Sequence, residues 1–240
     1  MALAGLRKTV DFQDTRYGAE YLDRLGRVLD RDDAAKGFAL TAAAAKYIAN
    51  AMAYDDVIRV ADLKTRKARF ARIDAQMGLD EGNVLHLTEY FHPRAAEIVG
   101  LLPARFGARL RDSPSWMDRI DRWFGKGRHL RSDRPLAYLM LYAIGGLRRW
   151  RRGNLRHADE QAHLDRWLAT ALACLPQDYD LAVEVIRCRR LIKGYSDTHA
   201  RGQSKFDRVV GAAALLAGRE DGADWLARLR AAALQDEEGK

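Results

Sequence analysis

The stretch LAYLMLYAIGGLRRW (Leu136–Trp150) places Leu136, Leu139, Met140, Ala143, Ile144 and Leu147 on one helix face, at steps of one, three or four residues. Its uncharged run, Leu136 to Leu147, is 12 residues long, against the roughly 20 needed to cross a bilayer. An apolar stripe too short for lipid predicts a helix packed on other helices. The RRWRR that follows suits a helix C-terminus, where cations meet the negative end of the dipole, and Gly153 supplies a stop.

The same period recurs on both sides of this stretch, while β-branched runs and apolar/polar alternation are scarce. A first helix is expected from about Gln13 to Leu29, capped by Asp11 or Asp14. A long one follows from Phe38 to about Ile73, with Tyr47, Ala51, Tyr54 and Ile58 as its apolar stripe. Its other face carries Asp55, Arg59, Asp62, Arg66 and Arg69, in which Asp55–Arg59 and Asp62–Arg66 are i,i+4 pairs. Further helices are expected after Pro93, from His157 to Leu175, through Leu181, Val185, Cys188 and Ile192, over Phe206–Ala217 and around Asp224–Leu234. The connection Phe124–Ser132 contains Gly125 and Gly127 without a preceding strand, so no dinucleotide fingerprint is present. The expectation is one all-α domain over 1–240, irregular, with about nine or ten helices, no substantial sheet, and frayed ends at 1–10 and 236–240.

The 240 residues are enough for a core without staples. A formal charge of +8 and a pI near 9.6 favour an anionic partner without selecting one. Two cysteines, Cys174 and Cys188, are too few for a disulfide framework or a four-thiolate cluster. The N-terminal MALAGLRKTVDFQD lacks the apolar stretch of a secretory signal, and a cytoplasmic protein without membrane association is expected.

Candidate chemistry is thin. Glu89–His92 and Glu160–His163 share the Glu-x-x-His spacing of di-iron bundles, but Pro93 disturbs the first pair and two further glutamates are required. Ser196, Asp197 and His199 are neighbours in sequence, whereas a triad is defined in space. No catalytic and no metal-binding residue is assigned. The arginines 148, 149, 151, 152 and 156 around Trp150 could track phosphates, or simply end a helix. The stretch LIKGYSDTHARGQSKFD (191–207) gathers Lys193, Tyr195, Asp197, His199, Arg201 and Lys205 on what reads as a connection between helices. Those cations could hold an anion, helped by the amides of the following helix; equally, they could bond neighbouring helix ends.

The blocks YIANAMAYDDVIRVADLKTRKARFARI (47–73), EYFHPRAAEI (89–98), YLMLYAIGGLRRWRR (138–152) and YDLAVEVIRCRRLIKGYSDTHARGQSKFDRV (179–209) add a resemblance. Over roughly 10–215 the chain resembles the helical C-terminal region of indolepyruvate ferredoxin oxidoreductase family proteins, of the beta-subunit or fused-chain type. The resemblance implies a complex that oxidises indolepyruvate or a related aryl 2-oxoacid to an arylacetyl-CoA, with thiamine diphosphate as the carbanion catalyst and iron–sulfur clusters passing electrons to ferredoxin. The α/β oxidoreductase domain that precedes this region in the family, the thiamine signature and the ferredoxin cysteines are all missing from this sequence.

The expected role is therefore a non-catalytic accessory domain that binds no cofactor itself. It would assist assembly or shape a site on the thiamine-binding and iron–sulfur subunit, meeting ferredoxin only indirectly. Arg59, Asp62 and Arg66, with Lys193, Tyr195, Asp197, His199, Arg201 and Lys205, are the expected contacts, the latter group also suiting an anion such as coenzyme A. The rival expectation is a free-standing basic helical module that binds nucleic acid.

Overall fold

The computed structural model describes residues 1–78, 86–91, 93–124, 128–131, 134–175, 177–194 and 196–236. In chain order it contains α1 (Ala2–Phe12), α2 (Thr15–Leu29), a 3-10 turn (Ala34–Lys36), α3 (Ala39–Met52), α4 (Val57–Thr65) and α5 (Lys67–Met77). There follow β1 (Thr88–Phe91), α6 (Ala95–Gly100), α7 (Ala104–Arg111), α8 (Pro114–Phe124), β2 (Arg128–Arg131), α9 (Pro135–Gly146) and a 3-10 segment (Leu147–Gly153). The rest comprises α10 (Leu155–Cys174), α11 (Tyr179–Arg187), a 3-10 turn (Cys188–Leu191), α12 (Ser196–Gly211), α13 (Ala213–Leu216) and α14 (Gly222–Gln235). The protein is all-α; β1 and β2 form only a short antiparallel ladder, Thr88 opposite Arg131 and Phe91 opposite Arg128. No described helix is long and apolar enough to cross a membrane.

The chain divides into two compact units, Met1–Tyr54 with Glu160–Lys240, and Asp55–Asp159. In the first unit, the expected frayed start is instead helix α1, which buries Gly5, Thr9 and Phe12. Gly5 has no side chain to keep the neighbouring helices away, which a pattern search for large apolar residues does not detect. Asp14 is the cap of α2, accepting from Tyr17 N at 2.8 Å. The buried phenols of α2 reach α3: Tyr17 Oη donates to Met52 O at 2.9 Å and Tyr21 Oη to Ala45 O at 2.8 Å. Leu181, Val185, Cys188 and Ile192 are buried, as their helical spacing predicts. Trp167 of α10 donates to Val185 O at 2.9 Å, and Glu184 of α11 accepts from Arg230 of α14 at 2.7 Å.

The second unit begins where the expected Phe38–Ile73 helix breaks. Ala53 leaves helical geometry, and Asp56 restarts the helix as the cap of α4, accepting from Arg59 N at 2.6 Å. Arg66 is extended between α4 and α5 and ends the charge ladder read across that stretch. Within α4, Asp62 lies between Arg59 at 3.2 Å and Arg66 at 2.6 Å, while Lys64 and Arg69 both meet Glu89 of β1. Asp56 also accepts two hydrogen bonds from Arg151, at 2.9 and 3.2 Å, with both side chains fully buried.

Helix α9 has the expected period but turns the opposite face inward. Leu141 and Gly145 are buried against α4, and a Cβ on Gly145 would lie 3.1 Å from Asp62 Cα. Tyr138 Oη donates to Thr65 O at 3.2 Å on the same side. The stripe that contains Leu136, Leu139, Met140 and Leu147 is exposed. Close approach of two backbones at a glycine outweighs the larger apolar area of the other face, because backbone contact and a hydrogen bond are gained together.

Candidate functional site

The stretch 191–207 is mostly helix. A short link leaves the Cys188–Leu191 turn through extended Ile192 and left-handed Gly194, whose φ of 67° suits a residue without Cβ. Ser196 then opens α12 with φ of 54°, and the helix carries Asp197, His199, Arg201 and Lys205. Tyr195 lies outside the described residues. Gly202 lets α12 lie on the preceding turn: a Cβ there would be 2.7 Å from Leu191 O and 3.1 Å from Ile192 Cα.

This packing leaves a groove of about 140 Å³ between the link, α12 and the end of α14, lined by Lys193, Thr198, Arg201, Lys205 and Leu234 among others. Lys193 and Arg201 are exposed at its mouth; Lys205 is half-buried, its Nζ 3.6 Å from Asp236 Oδ2. Three cations on one small groove can hold a phosphate or carboxylate by charge-assisted hydrogen bonds. Among the described residues of this lining, no nucleophile is paired with a base. Asp197 is exposed in the first turn of α12, where a carboxylate suits the helix dipole.

His199 is not in the groove. It faces inward, 5% exposed, with Nε2 3.1 Å from Glu160 Oε1, an ion-pair distance without the alignment of a hydrogen bond. Glu160 and His163 share α10 and are both buried. His163 Nε2 lies 3.3 Å from Asp207 Oδ1 and its ring centroid 5.0 Å from that of Phe206. Thus α12 brings His199 to Glu160 in the interior and Asp207 to His163, rather than assembling all three as one site. Among the described residues, no group of three or more His, Cys, Asp or Glu is arranged to hold a metal ion. His92 lies outside the described residues.

Burial holds the His163 imidazolium pKa below its ordinary value; the Asp207 carboxylate and Glu160 oppose the shift and Arg189 adds to it. The unfolded chain then takes up this proton at higher pH than the folded one. Stability from this group is complete above the ordinary imidazole pKa and is lost as pH falls through about 6.5 towards the lowered value. His163→Gln should flatten the acid side of a plot of unfolding midpoint against pH; an unchanged slope would show that His163 does not carry it.

The remaining expected contacts are occupied by each other. Arg59, Asp62 and Arg66 form the α4 network described above. Of the basic run, Arg151 is buried on Asp56 and Arg149 lies over the Trp150 ring at 5.0 Å, which leaves fewer cations for a phosphate backbone than the sequence suggests. A larger groove of about 350 Å³ is lined by Asp178, Asp180, Glu184, Glu220 and Asp224. Two of those carboxylates have structural duties: Asp178 caps α11 through Leu181 N, and Glu184 holds Arg187 and Arg230. Sequence reasoning missed the Asp56–Arg151 pair, whose members are separated by 95 positions and carry no local signal.

Fold and groove together define an all-α protein of packed helices with a small cationic groove. The chain belongs to DUF6537, a family of unknown function, whose model matches residues 1–212. No curated protein and no solved structure matches it.

Proposed function

We propose that this chain is a non-catalytic helical accessory domain of a thiamine-diphosphate-dependent indolepyruvate (aryl 2-oxoacid):ferredoxin oxidoreductase complex, acting in the cytoplasm. The identity of the complex comes from the resemblance over 47–73, 89–98, 138–152 and 179–209. The structural observation that carries an assembly role is the amount of large apolar surface in the second unit, where Trp116, Trp123, Phe124, Leu136, Leu139 and Trp150 are all exposed. Such side chains mark a protein contact when they gather rather than scatter.

The donor set also fits a partner that carries the redox groups. Cys188 is fully buried and burial pushes its thiol up to about 12, with the Arg230 charge opposing and Glu184 adding; Cys174 is likewise raised by burial. Two thiols are too few for a four-thiolate cluster. The groove of Lys193, Arg201 and Lys205 fits a phosphate of coenzyme A as an assisting contact, with the acyl chemistry performed on the other polypeptide.

Co-expression with the thiamine-binding polypeptide of such an enzyme tests this reading. The expected result is a stable complex that oxidises arylpyruvates, while the 240-residue chain alone does not. Failure to associate, or oxidation by the isolated chain, would sink the proposal. Retention on mixed nucleic acid that disappears steeply with salt would favour the rival nucleic-acid role.

A further inference from the structure

We infer that the groove beside α12 is a binding site for a phosphate monoester group, and that Asp236 at the end of α14 competes with that group for Lys205. This rests on the phosphate-holding reading of the groove given above, but not on the identity of the complex. Lys205 carries most of the weight. Its side chain is only 14% exposed, and its contact with Asp236 Oδ2, at 3.6 Å, is longer than the roughly 2.7–2.9 Å of a charge-assisted hydrogen bond. Among the described residues Lys205 makes no hydrogen bond. A largely enclosed ammonium with unmatched donors is costly until an acceptor meets it. The Asp236 carboxylate shows that a negative oxygen is accommodated beside it.

The rest of the lining says which anion fits. Thr198, Arg201 and Lys205 lie at i, i+3 and i+7 on one face of α12, and Lys193 joins them from the link. Among the described residues no carboxylate pairs with Lys193 or Arg201; Asp197, one turn before Arg201, is not within ion-pair distance of it. At about 140 Å³ the groove is smaller than the roughly 300–1,000 Å³ of sites that enclose a small molecule. It therefore takes an anionic group and leaves the rest of the carrier outside. A carboxylate or a phosphodiester offers two charged oxygens, which one arginine fork can occupy. A phosphate monoester offers three, with a charge of about −1.5 to −2 near neutral pH, enough for the Arg201 fork and both ammonium groups. Asp236 must be outcompeted for Lys205, which ties the affinity of the site to the end of α14.

Calorimetric titration of the full chain at low salt tests this, with AMP as the monoester and cyclic AMP as the matched diester. AMP should bind at least about tenfold more tightly than cyclic AMP, and inorganic phosphate should displace it. Arg201→Gln, at an exposed side chain, should weaken AMP about tenfold or more, as for the loss of one charge-assisted hydrogen bond. Asp236→Asn should tighten AMP by about two- to fivefold, as for release of a partly exposed ion pair. That gain should vanish in a Lys205→Met background, which keeps the length of the stem. Equal affinities for AMP and cyclic AMP would overturn the monoester assignment. A gain from Asp236→Asn that persists without Lys205 would overturn the competition. If AMP, inorganic phosphate and a phosphoserine peptide all fail to bind, the groove reading falls, while the accessory role is decided separately by co-expression. A phosphoserine peptide that binds more tightly than AMP, and is lost with Arg201→Gln, keeps the site and places its phosphate on a modified protein instead of a small molecule.

Discussion

Arg151→Met should destabilise the Asp55–Asp159 unit by about 3–5 kcal/mol, because it leaves the Asp56 carboxylate buried without its cation. Arg151 is 1% exposed and bonds both oxygens of Asp56, one of which also caps α4 through Arg59 N. The double variant Arg151→Met/Asp56→Leu should recover most of the loss, since removing both charges together avoids the orphan; the missing cap would still cost about 1 kcal/mol. Urea unfolding of the three proteins, followed by circular dichroism, measures this. A single-variant loss below about 1 kcal/mol would mean the pair is better hydrated than its burial implies.

The second large effect is expected at Gly5. A Cβ there would sit 2.3 Å from Tyr21 Oη, 2.6 Å from Cζ and 2.9 Å from Ala45 O. Tyr21 cannot retreat without breaking its bond to Ala45 O, which would leave its buried hydroxyl without that acceptor. Overpacking and the lost bond together put the cost of Gly5→Ala at about 2–5 kcal/mol. Gly26 in α2 is the matched comparison, since nothing lies within 4 Å of its Cβ position. Gly26→Ala should be neutral or stabilise by up to about 1 kcal/mol. Equal melting temperatures for the two variants would refute the close-packing account of α1.

These two sites show where sequence was informative and where it was not. Periodicity located the helices: the row Leu181, Val185, Cys188 and Ile192 is buried as its spacing implies, and Asp14 caps α2. Period alone does not say which face is covered. In α9 the richer apolar row points outward, because Gly145 and Tyr138 give the poorer row its backbone contact and hydrogen bond with α4. The break before Asp56 was hidden by helix-compatible residues on both sides, although Asp56 is itself a good cap. The 191–207 stretch read as a connection because it is polar. Its helix is held by Phe206, Val209 and Val210 on the buried side and by Gly202 on the turn below. Three of its cations do reach one groove, while the same helical turn sends His199 to the interior.

Cys188 offers a use of its own. Enclosed and protonated at neutral pH, it can meet a reagent such as N-ethylmaleimide only when the surrounding helices part. With Cys174 replaced by serine, the pace of alkylation becomes a stopwatch for breathing of the unit formed by 1–54 and 160–240. It runs without a substrate or a partner.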